Sequence, residues 1–259
     1  MSPYRTAFST SLVVLCGGLL GTILFSSGCQ NQGSHEYDAY RRPTTILRPP
    51  AGDLAGVPVS AADAYFPGWG EHGKFVRVYN PELAPSDGPF GFGWTHSFNM
   101  SLVEKADGKI SLSDAQGHAV RFVPRGDSRY TTDAASWTLK KNADGTFALA
   151  DAAGWSWSFS GKGRLATLSD GKKSLNMTYG ADGLLVSIAE GSNWVIRLSY
   201  DQDRRITGLT DVAGGACRYA YDAHGDLVGA ISADKSSQYQ YDQQHRLTGV
   251  SSGAQDTTR

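Results

Sequence analysis

Cysteine and methionine are scarce in this 259-residue chain, three of each, and the cysteines form no Cys-x-x-Cys pair. The usual thiolate frameworks for zinc and for thioredoxin-like redox chemistry are therefore missing. Net positive charge is missing too. With 24 Lys and Arg against 25 Asp and Glu, the chain has no long-range field of the kind that non-specific nucleic-acid binding requires, and no nucleic-acid partner is expected. The longest apolar run, residues 12–25, is too short for a comfortable bilayer span. There is no His-Glu-x-x-His, no phosphate-binding Gly-rich loop ending in Lys-Ser/Thr and no Gly-x-Ser-x-Gly elbow, so no enzymatic activity, cofactor or metal is expected. What is abundant is glycine, 31 residues or about 12 per cent, together with 12 Tyr and 6 Trp. That mixture favours strands joined by tight turns, and the fold class expected is all-β.

The N-terminus reads as a targeting segment. Residues 1–11 are polar with one cation, Arg5, and the apolar run that follows has the length of a secretory hydrophobic region. Ser26-Ser27-Gly28-Cys29 comes next and resembles the lipobox of bacterial lipoproteins. The resemblance implies a signal peptide over residues 1–28, acylation of Cys29, and export to the cell envelope on the outer-membrane or periplasmic side, with the membrane as a partner through the lipid. Cysteine usage then predicts a fold held by packing, without an intramolecular disulfide. Residues 29–73 carry Pro43, Pro49, Pro50 and Pro58 without apolar periodicity and are expected to be a solvated tether.

Downstream the sequence repeats. Phe159, Tyr179, Tyr200, Tyr221 and Tyr241 recur every 20 or 21 residues, and an aliphatic residue follows each by six: Leu165, Leu185, Ile206, Leu227 and Leu247. Three further on stand Leu168, Ile188, Leu209, Ala230 and Val250. Turn sequences such as Ala181-Asp182-Gly183 and Ala223-His224-Gly225 separate aromatic from aliphatic, and a second turn falls in mid-unit. Each unit is thus strand, turn, strand, turn, and successive hairpins stack edge to edge into one sheet. An offset of three puts the two aliphatic side chains on opposite faces of a regular strand. Either both faces are covered or a bulge intervenes.

Tyr200-Asp201-Gln202-Asp203-Arg204-Arg205-Ile206 and Tyr241-Asp242-Gln243-Gln244-His245-Arg246-Leu247 resemble the YD repeat of the Rhs family. Upstream, Val76-Arg77-Val78-Tyr79-Asn80 and Gly91-Phe92-Gly93-Trp94-Thr95-His96-Ser97 resemble the segment that precedes the repeats in that family. The resemblance implies an entry module at 74–158, five repeats at 159–250 and a polar tail at 251–259. The hairpins would form a curved sheet, a partial barrel or a fragment of an Rhs-type shell. The repeat signature comprises Tyr179, Tyr200, Asp201, Tyr221, Asp222, Tyr241 and Asp242. Arg164, Arg205 and Arg246 keep the arginine of the repeat, whereas Leu184 and Asp226 replace it, substitutions read as surface-turn variation.

Three side-chain groups are candidate sites. Trp155 and Trp157 alternate with Ser156 and Ser158, as in a packed seam between entry module and first repeat or, alternatively, a carbohydrate-stacking platform. His96 reads as a hydrogen-bonded core or turn histidine, and His118, His224 and His245 as solvated turn residues. Asp201, Asp222 and Asp242 are expected to close turns on backbone N–H groups rather than to bind Ca²⁺. The functional expectation is a non-enzymatic, membrane-anchored structural or binding module, whose partner is a protein joined by strand addition or a cell-envelope glycan. The alternative is a truncated or split part of an Rhs polymorphic-toxin shell used in toxin encapsulation or contact-dependent competition.

Overall fold

The computed structural model describes residues 23–26, 56–133, 136–192 and 194–254. A four-stranded sheet contains β1 (Ile23–Ser26), β2 (Val59–Tyr65), β3 (Lys74–Tyr79) and β6 (Trp94–His96), in that order, with β1 parallel to β2 and the rest antiparallel. A small hairpin, β4 (Asp87–Gly88) and β5 (Gly91–Phe92), lies between β3 and β6 in the chain. Sixteen further strands pair strictly with their chain neighbours in one antiparallel sheet. They are β7 (Ser101–Glu104), β8 (Ile110–Ser113), β9 (Ala119–Gly126), β10 (Arg129–Thr131), β11 (Trp137–Lys141), β12 (Phe147–Asp151), β13 (Ser156–Phe159) and β14 (Leu165–Ser169), then β15 (Ser174–Tyr179), β16 (Leu185–Glu190), β17 (Trp194–Tyr200), β18 (Ile206–Thr210), β19 (Ala216–Tyr221), β20 (Leu227–Ile231), β21 (Lys235–Tyr241) and β22 (Leu247–Ala254). The sheet winds back on itself without closing: Ser101 bridges Arg164, and the Leu102 N–H donates to the Gly163 carbonyl at 2.8 Å.

A bulge repeated five times reconciles the three-residue offset with a single buried face. Tyr200 pairs with Ile206 but Ser199 pairs with Gly208, so Thr207 is left over. Ala166, Val186, Val228 and Thr248 are left over in the same way. Because side chains alternate along a strand, one extra residue returns the second aliphatic to the face of the first. Leu165 and Leu168, Leu185 and Ile188, Ile206 and Leu209, and Leu227 and Ala230 are accordingly all buried on one side.

That side is covered by residues 59–98, which join the repeats in a single core through Phe66, Trp69, Phe75, Tyr79, Phe90, Trp94 and Phe98. The tether expected over residues 29–73 therefore ends earlier, since Val59, Phe66 and Trp69 are buried and β2 pairs along β3. Small residues (Ser60, Ala61, Ala62, Ala64) give this strand little apolar contrast, which is why its alternation does not stand out in the sequence. Cys217 is buried on β19. Cys29 lies outside the described residues.

Deleting Thr207 should turn Leu209, now fully buried, toward solvent and cost at least the roughly 2–3 kcal/mol of one core leucine. Thr207→Ala, which keeps the count, should stay within about 1 kcal/mol. Urea unfolding of the two variants checks the bulge.

Candidate functional site

The entry segment meets the repeats along a seam of polar-tipped aromatic residues. At its centre is a buried cluster. Asp63 is the residue left over where β2 bulges against β3, Ala62 pairing with Val76 and Ala64 with Phe75. The bulge buries Asp63 beside Arg77, whose Nη1 lies 3.2 Å from the Asp63 carboxylate. The Tyr219 hydroxyl donates to the same carboxylate at 2.8 Å, and Arg77 Nη2 donates to the Tyr239 hydroxyl at 3.1 Å. Four rings surround the guanidinium, those of Tyr219, Trp94, Tyr239 and Phe90, at 5.2–6.0 Å. Burial raises the Asp63 carboxyl above its ordinary range, with the Arg77 charge and the Tyr219 donor opposing it. Burial alone would make Arg77 easier to deprotonate, but Asp63 and the neighbouring phenols outweigh it and hold the guanidinium charged.

The motifs of the entry segment also find their roles here. The Tyr79 hydroxyl accepts from the Leu247 N–H at 3.0 Å and donates to the His245 carbonyl at 3.2 Å, tying β3 to the fifth repeat. Trp94 Nε1 donates to the Tyr241 hydroxyl at 2.7 Å, and Tyr241 donates in turn to the Leu227 carbonyl. Gly91, at φ +83°, lets the Gly225 carbonyl come where a side chain would stand. The Ser97 hydroxyl accepts from the Val76 N–H and donates to the Lys74 carbonyl, fastening the end of the motif to β3. His96 is buried and stacked on Phe75 at 4.7 Å, and its Nδ1 has no hydrogen-bond partner among the described residues. It is thus a core histidine, as expected, but not one held by a hydrogen bond at that nitrogen. Burial pushes it from its ordinary 6.5 down to about 3.

The signature residues behave as a ladder. The hydroxyls of Tyr179, Tyr200, Tyr221 and Tyr241 donate to the carbonyls of Leu165, Leu185, Ile206 and Leu227, each the aliphatic of the preceding unit, at 2.6–2.8 Å. Burial raises all four phenols, which keeps them protonated donors. Asp201, Asp222 and Asp242 accept from N–H groups of their own turns, namely those of Arg205, of His224 and Asp226, and of Gln244 and Arg246. A second contact links units. The Arg164 guanidinium lies over the Tyr179 ring and against Gly183, and Arg205 lies over Tyr221 and against Gly225. Where Leu184 or Asp226 replaces arginine, the next turn carries Arg204 or His245 in place of glycine. Asp226 then bonds His245 Nδ1 at 2.9 Å, and Arg204 donates to the Asp182 carbonyl at 3.1 Å. His245 also stacks on Phe92 at 3.7 Å, so it is not the solvated turn residue expected from sequence.

Trp155 and Trp157 belong to the same seam. Trp157 is 6% exposed, and Trp155 packs on His72 at 4.1 Å and Trp69 at 6.0 Å. Trp157 is buried and Trp155 half-buried against these rings, the arrangement of a packed seam between the entry segment and the first repeat. Sequence reasoning missed Asp63, Arg77, Tyr219 and Tyr239. A signal was present: only the last two units place a tyrosine two residues before the signature tyrosine, where the earlier ones have Trp157, Met177 and Leu198.

Arg77→Met leaves Asp63 buried without its cation and should cost about 3–5 kcal/mol in urea unfolding. Asp63→Leu combined with Arg77→Met should cost less than the single change. A second test follows from His96. Between pH 6.5 and about 3 the unfolded chain binds a proton at this site that the folded chain does not, so stability should fall as pH drops through that window, by about 1.4 kcal/mol per unit. His96→Phe should remove that component of the slope of unfolding free energy against pH.

Residues 218–257 match the RHS Repeat family, and residues 57–122 match DUF6531, a domain of unknown function. The second match begins close to β2 rather than at residue 74. No curated protein matches the chain by sequence. Solved structures similar to it include a TcdB2-TccC3-Cdc42 complex (14% identity, TM-score 0.32) and TcdB2-TccC3 without its hypervariable C-terminal region (15%, 0.32), each match covering 67% of this chain and 11% of the other. A Tc holotoxin pore of Photorhabdus luminescens is similar at 12% identity and TM-score 0.31, over 70% of this chain and 13% of that one. The chain thus spans little more than a tenth of the length of those it resembles. The family match at residues 218–257, together with five registered hairpins over residues 159–250, supports reading that part of the chain as Rhs/YD-type repeats.

Proposed function

We propose that this protein is a non-enzymatic Rhs-type module of the bacterial cell envelope, held to the membrane by a lipid on Cys29 and serving as a scaffold for a protein partner. The observation that supports it best is the filling of the sheet's inner face by the chain's own residues 59–98. The ionisable groups at the centre of that face bind one another, and the rings that might have stacked a sugar, Trp155 and Trp157, lie in the seam. A partner therefore meets the outer face or the edge of the sheet, and an edge favours a protein strand over a glycan. The second reading, a part of a larger Rhs toxin shell, draws support from β22, which has a neighbour on one side only among the described strands.

Processing before Cys29 would remove β1 and leave β2, β3 and β6 as the small sheet. Mass spectrometry of the N-terminal peptide from protein expressed in a Gram-negative host, with palmitate labelling, is the test. The expected outcome is a diacylglyceryl thioether on Cys29 and loss of label and of membrane fractionation in Cys29→Ser. An unacylated chain, or Cys29 recovered in a disulfide with Cys217, overturns the anchor.

A further inference from the structure

The sixteen-stranded sheet sorts charge by sign between its two faces. Residues directly opposite each other on neighbouring strands share a face, so the pairing register assigns each strand position to the buried side or to the outer one. Three acids lie within these strands, and all three take the parity of the buried side: Glu104 opposite Ile110, Asp151 opposite Trp137 and Glu190 opposite Leu175. Each is engaged there. Glu104 pairs with Lys141, Glu190 with Lys173 and the Trp69 indole, and Asp151 accepts from N–H groups of its own turn. The outward positions carry the opposite sign throughout. Their charged residues among the described strands are Arg121, Arg125, Arg129, Lys140, Arg197 and Arg218, with no Asp or Glu and no aromatic residue beside them. A surface whose charge serves solubility alone mixes the signs, and the chain as a whole is balanced.

Four of these cations gather on β9–β11. Arg129 stands directly opposite Lys140, a like-charge pair that destabilises the ladder holding it. Arg125 is the residue left over in the bulge between Pro124 and Gly126, and its Nε donates to the Thr131 hydroxyl at 3.2 Å. Between Arg121 and Arg125 on the same strand lies Val123, an aliphatic side chain that is 41% exposed. None of the four cations has a carboxylate at ion-pair distance among the described residues. Lys141, one residue on but of the buried parity, is by contrast paired with Glu104 at 2.7 Å. The acids nearest in sequence, Asp127 and Asp144, sit in hairpin turns, and Asp144 is occupied by the N–H and hydroxyl of Thr146.

We propose that the outer face over β9–β11 is a docking surface for an anionic lipid bilayer, with Arg121, Arg125, Arg129 and Lys140 on headgroup phosphates and Val123 set among the headgroups. Charge complementarity selects an anionic partner. An exposed aliphatic in the midst of the cations, on a face with no outward ring to stack a sugar, selects lipid over an acidic polysaccharide. Lipid phosphates would also relieve the repulsion between Arg129 and Lys140. The inference deepens the envelope reading above and rests on it, since only a chain delivered to a membrane meets such a surface, but it does not need the lipid on Cys29.

The test uses the full chain carrying Cys29→Ser, so that no acyl group contributes and failure of the anchor leaves the result untouched. This protein should sediment with vesicles of phosphatidylcholine containing about a third phosphatidylglycerol, far more than with phosphatidylcholine alone, and should be released as salt rises. Arg125→Gln, Arg129→Gln and Lys140→Gln combined should weaken that binding on the order of a hundredfold, roughly fivefold for each cation. Removing the same charge from turns, with Lys105→Gln, Lys162→Gln and Lys172→Gln, should leave it nearly as it was. Val123→Ser should weaken vesicle binding and leave retention on dextran sulfate unchanged. Arg129→Gln alone should unfold at no lower urea concentration than the parent, because it removes a like-charge pair. Equal sedimentation with neutral and anionic vesicles, equal loss in the turn variant, or a destabilised Arg129→Gln would each overturn the proposal. Vesicle binding indifferent to Val123→Ser, with dextran sulfate held as tightly as lipid, would overturn it in favour of an acidic glycan.

Discussion

One extra residue per hairpin governs this architecture. Each bulge brings two aliphatic residues, three apart in the chain, to the same face, and the winding sheet becomes strongly apolar on one side and polar on the other. A sheet with a single apolar face must bury it against something. Here residues 59–98 do so, and the demand for a filler of the right size explains the density of rings in that short stretch. Its glycines, Gly91 and Gly93, make room for the Gly225 carbonyl and the Tyr79 ring.

A filler that was only apolar could slide. The Asp63–Arg77 pair, bonded to Tyr219 and Tyr239, sits where lateral movement would strand a buried charge, at a cost larger than most single apolar contacts. Tyr79 and Trp94 add directional bonds to the fifth unit. Apolar packing thus supplies the bulk of the cohesion, and these polar contacts select the position.

The repeats are legible in the sequence because their period rests on large aromatic residues and turn glycines, which stand out against any background. Strand β2 is not, because Ser60, Ala61, Ala62 and Ala64 give too little contrast between faces and its prolines lie just upstream. The cluster around Arg77 escapes for a different reason. Its bonded pairs are separated by up to 162 residues, and pairing over that distance is a property of the winding, not of any local pattern. Leu184 and Asp226 pass for neutral turn substitutions when each is judged within its own unit. Their compensation lies one unit further on, at Arg204 and His245, and becomes visible only when neighbouring turns are compared.

The separation between the filler and its final contacts also sets an order of assembly. Hairpins form from residues close in sequence and can close as soon as they are made. Residues 59–98 precede the repeats in the chain, yet Trp94, Tyr79 and Arg77 reach their partners only when residues 239–247 have arrived. Until then Trp94 lacks the Tyr239 ring and the Tyr241 hydroxyl that complete its surroundings, and a partly synthesised chain exposes that part of the aromatic segment. A core whose first residues are completed by its last therefore locks only after the final hairpin is in place, so loss of that hairpin loosens the start of the chain as much as its end.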